Sequence, residues 1–158
     1  MNLFYLDQDL DKCAEYHVDK HIVKMPLEAA QLLCTAIWVD EVLGFVPRAL
    51  EKDEAAVLNE YKKLEKPLAP EERELTPYLG MMYNHPCTIW TRSSLDNYEW
   101  TWCYAHALAE EYRYRYGKEH KSFWQVINKL PDPVHIKRVG FTTFGLAMPE
   151  VLKNYDDP

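Results

Sequence analysis

Residues 13–38 constrain this chain more than any other stretch. They read Cys-Ala-Glu-Tyr-His17-Val-Asp-Lys20-His21-Ile-Val-Lys24-Met-Pro26-Leu-Glu28-Ala-Ala-Gln31-Leu-Leu-Cys34-Thr35-Ala-Ile-Trp38. At helical spacing, Val18, Ile22, Met25, Leu32, Leu33, Ala36 and Ile37 make one apolar side suited to a core. His17, His21, Lys24, Glu28, Gln31 and Thr35 follow one another at steps of four and three, which stacks them along a single polar stripe. A stripe that is merely solvated is made mostly of Glu, Lys and Arg. This one mixes histidine, lysine, glutamate and glutamine in a segment too apolar to be peripheral. It reads as a polar seam lining a cleft, against the plainer reading of an exposed helix face with a satisfied histidine.

A chain of 158 residues fits one helical domain and buries about two-thirds of its unfolded surface. Aromatic content of 13%, mostly Tyr and Trp, supplies stacking surfaces as well as core. No run reaches the length of a membrane span and no secretory leader opens the chain, so a soluble protein with no membrane partner is expected, in the cytoplasm. Cys13, Cys34, Cys87 and Cys103 form no Cys-x-x-Cys pair and sit among apolar neighbours, which predicts buried free thiols. The net charge of −7 excludes a general nucleic-acid coat, because phosphate binding needs a basic surface. Residues 112–138 nevertheless concentrate Arg113, Arg115, Lys118, Lys121, Lys129, Lys137 and Arg138, which leaves room for a basic face.

Along the chain, residues 2–6 read as a buried extended arm, and Asp7 and Asp9 are N-cap candidates for a helix from Leu10. The polar stripe keeps phase across Pro26, so one kinked helix is expected to run through the central stretch and end near Trp38 or Asp40. Residues 51–66 read as a charged amphipathic surface helix, with Ala56, Leu58, Tyr61 and Leu64 inward, and residues 67–80 as a proline-rich loop or insertion. His85 before Pro86 is pushed out of the helical region and sits with Asn84 on a turn. Ser93 or Ser94 caps a long aromatic helix that stops at Gly117. Asn97, Thr101 and Tyr104 form a second polar edge on it. A short helix spans 122–130, and a last turn spans 150–155.

Three chemistries fit. A metal could be chelated by His17 and His21 with Glu28, joined by His85 or by His106 and Glu110, though no H-E-x-x-H is present and Lys24 would repel the ion. Acid/base or covalent catalysis could use His17, His21, Lys24 and Glu28 without metal. Anion or base recognition could use Lys20, Gln31, Asn84, His85, Arg92 and Asn97 as donors, with Trp90 for stacking.

Ala14-x-x-His17 after a short apolar arm, Pro26 nine residues later, a His85-led turn feeding a long helix, and Tyr112-Arg-Tyr-Arg-Tyr-Gly-Lys118 together resemble the bacteriophage pyrimidine-dimer DNA glycosylases of the endonuclease V type. Asp19-Lys-His-Ile-Val-Lys-Met25 and Asn84-His-Pro86 resemble small uncharacterised phage proteins. The resemblance covers about half the chain, in short motifs. It implies an all-helical single domain acting on a flipped-out base, with the terminal amine as nucleophile and a first-helix glutamate assisting. A terminal amine, with an intrinsic pKa of about 8, is a fair nucleophile at neutral pH. The departures are specific. The family's glutamate falls at Lys24, with Glu28 the nearest carboxylate, and its flanking arginines fall at Val23 and Leu27. Asn2 is too large for efficient removal of Met1, so the amine would be that of Met1.

The sequence therefore reads as an all-α, phage-type enzyme acting on a nucleobase or nucleotide, glycosylase- or lyase-like, in the cytoplasm of a host cell. Its partner is single-stranded nucleic acid, a flipped base or a free nucleotide, and no cofactor or metal is called for. His17, His21, Lys24, Glu28 and Met1 are the catalytic candidates. Lys20, Gln31, Asn84, His85, Trp90, Arg92 and Asn97 are the substrate-binding candidates. The alternatives are a helical metal-dependent hydrolase using His17, His21 and Glu28, and a non-enzymatic protein-binding module.

Overall fold

Asp9 sets the first helix. In the computed structural model, which describes Leu3 and residues 6–142, its carboxylate accepts the amides of Asp11 and Lys12 and opens α1 (Leu10–Glu15). The chain then leaves the helical path at residues 16–18 and re-enters it in α2 (Asp19–Leu43). The expected continuous helix is thus corrected. The cause is local: the His17 ring Nδ1 bonds the Cys13 carbonyl at 2.6 Å, the acceptor a continuing helix would offer to the His17 amide. That amide goes to Ala14 instead, a side chain displacing a backbone bond.

α2 continues through Pro26 and ends at Gly44, whose φ of +91° lies in the region that favours glycine. The stop falls just beyond the expected end near Asp40. α3 (Lys52–Glu65) opens on a reciprocal capping box between Glu51 and Glu54, which satisfies two orphan amides at once. Its apolar side is narrower than predicted: Leu58 is buried, but Leu64 is exposed. The 67–80 segment contains one 3₁₀ turn, Pro70–Glu72, and its second half is no mere surface excursion. Trp38 Nε1 donates to Thr76 Oγ1, and Gly80 lies so close that a Cβ there would meet Trp38 Cε3 at 2.8 Å.

α4 (Pro86–Arg92) was not foreseen as a separate element. Pro86 sits in its first turn, where a missing amide costs nothing, and His85 caps it by accepting the Cys87 amide at Nδ1, 3.1 Å away. α5 (Leu95–Tyr116) begins on Ser94 and ends on left-handed Gly117, φ +70°, both as the sequence predicts. Beyond it lie a π-helical turn, Ser122–Val126, and a 3₁₀ turn, Ile127–Lys129.

The fold is all-α. α2 runs along α5, with α4 packed against both and α1 against α5. One cluster joins Leu3, Cys13, Ile22, Met25, Leu32, Cys87, Trp90, Tyr104 and Leu108. A second gathers Ala29, Leu33, Ile37, Ala105 and Phe123, and a third centres on Trp38, Val46 and Leu58. α2 is long and apolar enough to cross a membrane by length and composition, which corrects the expectation that no such run exists. As in a core helix, 78% of its apolar window is buried inside the fold.

Three cysteines are buried free thiols, but Cys103 is exposed. The arginines of the 112–138 stretch are engaged with carboxylates: Arg113 with Glu119, Arg115 with Glu111 and Asp19, and Arg138 with Asp96 and Glu99. The net basic face is correspondingly reduced. The predicted turn at 150–155 and most of the predicted N-terminal arm, Met1 included, lie outside the described residues; Leu3 is fully buried.

Candidate active site

The first half of α2, the joint before it and the start of α4 bring the reactive residue types together. His17, in the joint, is buried. Because a carbonyl only accepts, the Nδ1 facing Cys13 carries the proton. Burial pushes the His17 pKa down, with a smaller push from the His21 charge, so the ring is neutral and Nε2 is an acceptor. Tyr104 of α5 therefore donates its hydroxyl proton to His17 Nε2 across 3.0 Å. His21 lies one step on, its ring centroid 6.4 Å from that of His17.

One turn further, Lys24 Nζ stands 4.0 Å from Glu28 Oε1. The Lys24 side chain is 66% exposed while that of Glu28 is only 11% exposed. The pair therefore runs from solvent inward. The neighbour of Lys24 is thus a carboxylate. α4 packs on α2, and the Glu28 charge acts upward on the pKa of both His85 and Cys87. His85 is held down in pKa chiefly by burial, with Glu28 opposing. Its Nδ1 accepts from the Cys87 amide, so the neutral ring presents Nε2–H as its donor. The Cys13 and Cys87 thiols are pushed up by burial; neither is a thiolate nucleophile near neutral pH.

An aromatic wall continues from the histidine. Tyr104 stacks on Trp100, centroids 5.0 Å apart and planes 17° apart. Trp100 meets Trp90 edge to face at 5.7 Å, and Phe141 leans on both indoles. The line His17, Tyr104, Trp100, Trp90 thus joins a proton-handling group to a stacking surface without interruption. Tyr104 and Trp100 stand one turn apart on α5, so helical spacing could have paired them; nothing in the sequence links them to His17.

The remaining binding candidates go to different places. Lys20 is exposed and Gln31 half-buried on α2. Asn84 pairs with the backbone of Leu50 in both directions. Trp90 is buried, its Nε1 donating to the Thr142 carbonyl. Asn97 is fully buried and divides its amide between Trp90 and Thr142. Arg92 is 1% exposed, and its guanidinium donates to the carbonyls of Val46, Tyr83 and Arg48. Burial lowers its pKa to about 10, with the Arg48 charge adding to the fall and Glu54 opposing it. Its donors fasten the 46–50 and 83 backbones together.

Comparison with protein-family models, curated proteins and solved structures finds no match. The site must speak for itself. Among the described residues, no group of three His, Cys, Asp or Glu side chains is placed to hold a metal ion, and His106 and Glu110 pair with each other on the exposed side of α5. An open cleft between α1 and α5 is lined by Asp11, Glu15, Ala107, Glu110, Glu111 and Tyr114, none of them a seam residue.

Proposed function

We propose that this chain is an enzyme acting on a nucleobase or nucleotide, with chemistry at Lys24 and Glu28 and the base against the Trp100 and Trp90 surface. The observation that carries the reading is the continuity from buried His17 through Tyr104 to Trp100. A sequence-tolerant stacking surface ends on a hydroxyl held by a neutral imidazole, and the helix that follows that imidazole carries an amine and a carboxylate one turn apart. In this reading a base stacked there meets the Tyr104 hydroxyl oxygen as an acceptor, its proton being given to His17, and the sugar or ring carbon meets the Lys24 amine. That set supports Schiff-base or general acid/base cleavage of a glycosidic bond, as the resemblance to glycosylases implies.

Glu28 supplies the carboxylate for the proton transfers, and the neutral Nε2–H of His85 supplies a donor. The acidic balance of the chain and its ion-paired arginines favour a single strand, a flipped-out base or a free nucleotide over a firm grip on duplex DNA. Such a substrate belongs in the cytoplasm of a host cell. The metal-dependent alternative is not carried forward, because the histidines and Glu28 do not form a ligand set.

Borohydride trapping tests the proposal. The protein and its Lys24→Ala variant are incubated with abasic and ultraviolet-damaged oligonucleotides, single- and double-stranded. A covalent adduct mapped by mass spectrometry to Lys24 or to the terminal amine is expected. Absence of an adduct on every substrate overturns the Schiff-base chemistry.

A further inference from the structure

The aromatic wall is not open. Residues 137–142 lie over it as an irregular strap, tied down at several points. The Lys137 carbonyl accepts from the Leu95 amide, and Arg138 pairs with Asp96 and Glu99. The Gly140 amide donates to Asp96 at 2.9 Å. Phe141, half exposed, sits edge-on against Trp90 at 5.6 Å and Trp100 at 6.4 Å.

The last tie is the most specific. Thr142 donates its amide to Asn97 Oδ1 at 3.1 Å, its Oγ1 accepts from Asn97 Nδ2 at 2.7 Å, and its carbonyl accepts from Trp90 Nε1 at 3.1 Å. Toward the strap, the site therefore presents an acceptor accompanied by two donors. Thr142 answers with a donor accompanied by two acceptors, beside an aromatic ring. That is the hydrogen-bonding content of the imide edge of a thymine or uracil ring, a ring N–H between two carbonyls. A cytosine edge offers no ring N–H and inverts one flank.

We propose that the 137–142 strap is a built-in occupant of the base site, with Phe141 and Thr142 standing where an imide-type pyrimidine binds once the strap lifts. The inference rests on the nucleobase reading above and adds to it a substrate edge and a regulatory contact. Nearly all of the strap's anchors are surface ion pairs and single hydrogen bonds, each individually weak. The Thr142 bonds are made to buried Asn97 and Trp90, so the incoming base must replace them as the strap lifts, and the closed strap lowers apparent affinity by the fraction of molecules that are open.

The test uses the full chain with oligo-dT and oligo-dC as probes. Arg138→Ala loosens the strap at a site remote from the base edge, and Phe141→Ala removes the ring surrogate. Each variant is expected to raise acrylamide quenching of tryptophan fluorescence and to tighten oligo-dT binding about tenfold, the scale of one stacked base, with a smaller gain for oligo-dC. Unchanged quenching in both variants means the strap is not displaceable and overturns the inference. Raised quenching with unchanged, measurable oligo-dT affinity also overturns it, while leaving the nucleobase reading intact. Equal gains for the two oligonucleotides remove the imide specificity. No binding to either probe by any form overturns both the inference and the reading beneath it.

Discussion

The two halves of α2 are built from similar residues and do opposite things. From Leu32 to Asp40 every residue is buried, and each polar group there is closed off by a structural partner. Thr35 exchanges bonds with the Met81 backbone, Trp38 donates to Thr76, and Asp40 takes the amides of Val134 and His135. From Asp19 to Gln31, exposed and buried positions alternate, and Lys24 and Glu28 are paired with each other. A polar group facing backbone amides is a fastener, whereas ionisable groups facing one another can exchange protons. The second half fastens the fold; the first half carries the ionisable pair on which the proposed chemistry rests.

Trp38→Ala gives the sharpest test of the second half. The ring is fully buried, stacked edge-on against Tyr61 and pressed on Gly80. Its loss is expected to cost about 3–5 kcal/mol, the transfer term plus the cavity left behind. Chemical denaturation read by circular dichroism checks it. A loss below about 1 kcal/mol would mean the 76–80 loop collapses into the space and that this half is not rigid.

A medium-sized effect is expected from pH, and it belongs to the first half. Three histidines border that half with lowered pKa values, burial being the leading cause in each: His17, His85 and His120. Geometry also holds His85 and His120 in the neutral form, each with a ring nitrogen accepting a backbone amide. His120 donates from Nε2 to the Val23 carbonyl and accepts the Ser122 amide at Nδ1, so a second proton would break the latter bond. The sign follows. Below the unfolded value of 6.5 the unfolded chain takes up protons that the folded chain refuses. Stability therefore falls as pH drops from 6.5 toward the lower folded values and is level above that window. The slope is at most about 1.4 kcal/mol per pH unit for each histidine. His17→Asn, which keeps a donor for the Cys13 carbonyl, is expected to remove one proton's share of it in urea titrations. A profile that is flat, or that rises on acidification, would mean these rings are charged in the fold.

Much of this organisation was legible in the residues, because it is written locally. Ser94 before an aromatic period and Gly117 after it bound α5, and Asp9 opens α1, while His85-Pro86 reads only as a turn before the long helix and not as the start of α4. The seam's steps of three and four correctly stack Lys24 and Glu28. What escaped depends on partners far away in sequence. No local pattern says that the Cys13 carbonyl prefers the His17 ring to the His17 amide, which takes His17 off the α2 stripe and turns it toward Tyr104. Arg92 reads as a phosphate ligand until three carbonyls, two of them more than 40 residues away, are found around it. Asn97 and Trp90 have the chemistry of base readers, but their present engagement with Thr142 is a tertiary fact.

The smallest expected stability effect falls on the residue with the largest expected functional one. Lys24 is mostly exposed, and its ion pair with Glu28 is long. Exposed pairs of this kind contribute about 0–1 kcal/mol, because solvent screens the charges and the long side chain loses rotamer freedom to hold one geometry. Lys24→Ala should therefore shift the denaturation midpoint hardly at all while abolishing any adduct formed on Lys24. Lys24→Arg keeps the charge but removes an amine able to form a Schiff base, since guanidinium stays protonated. If Lys24→Ala instead destabilises the fold by more than about 2 kcal/mol, the pair is a fastener like Asp40, and the contrast between the halves of α2 fails. If both variants keep their stability and only Lys24→Arg retains activity, the charge is what matters and the nucleophile lies elsewhere.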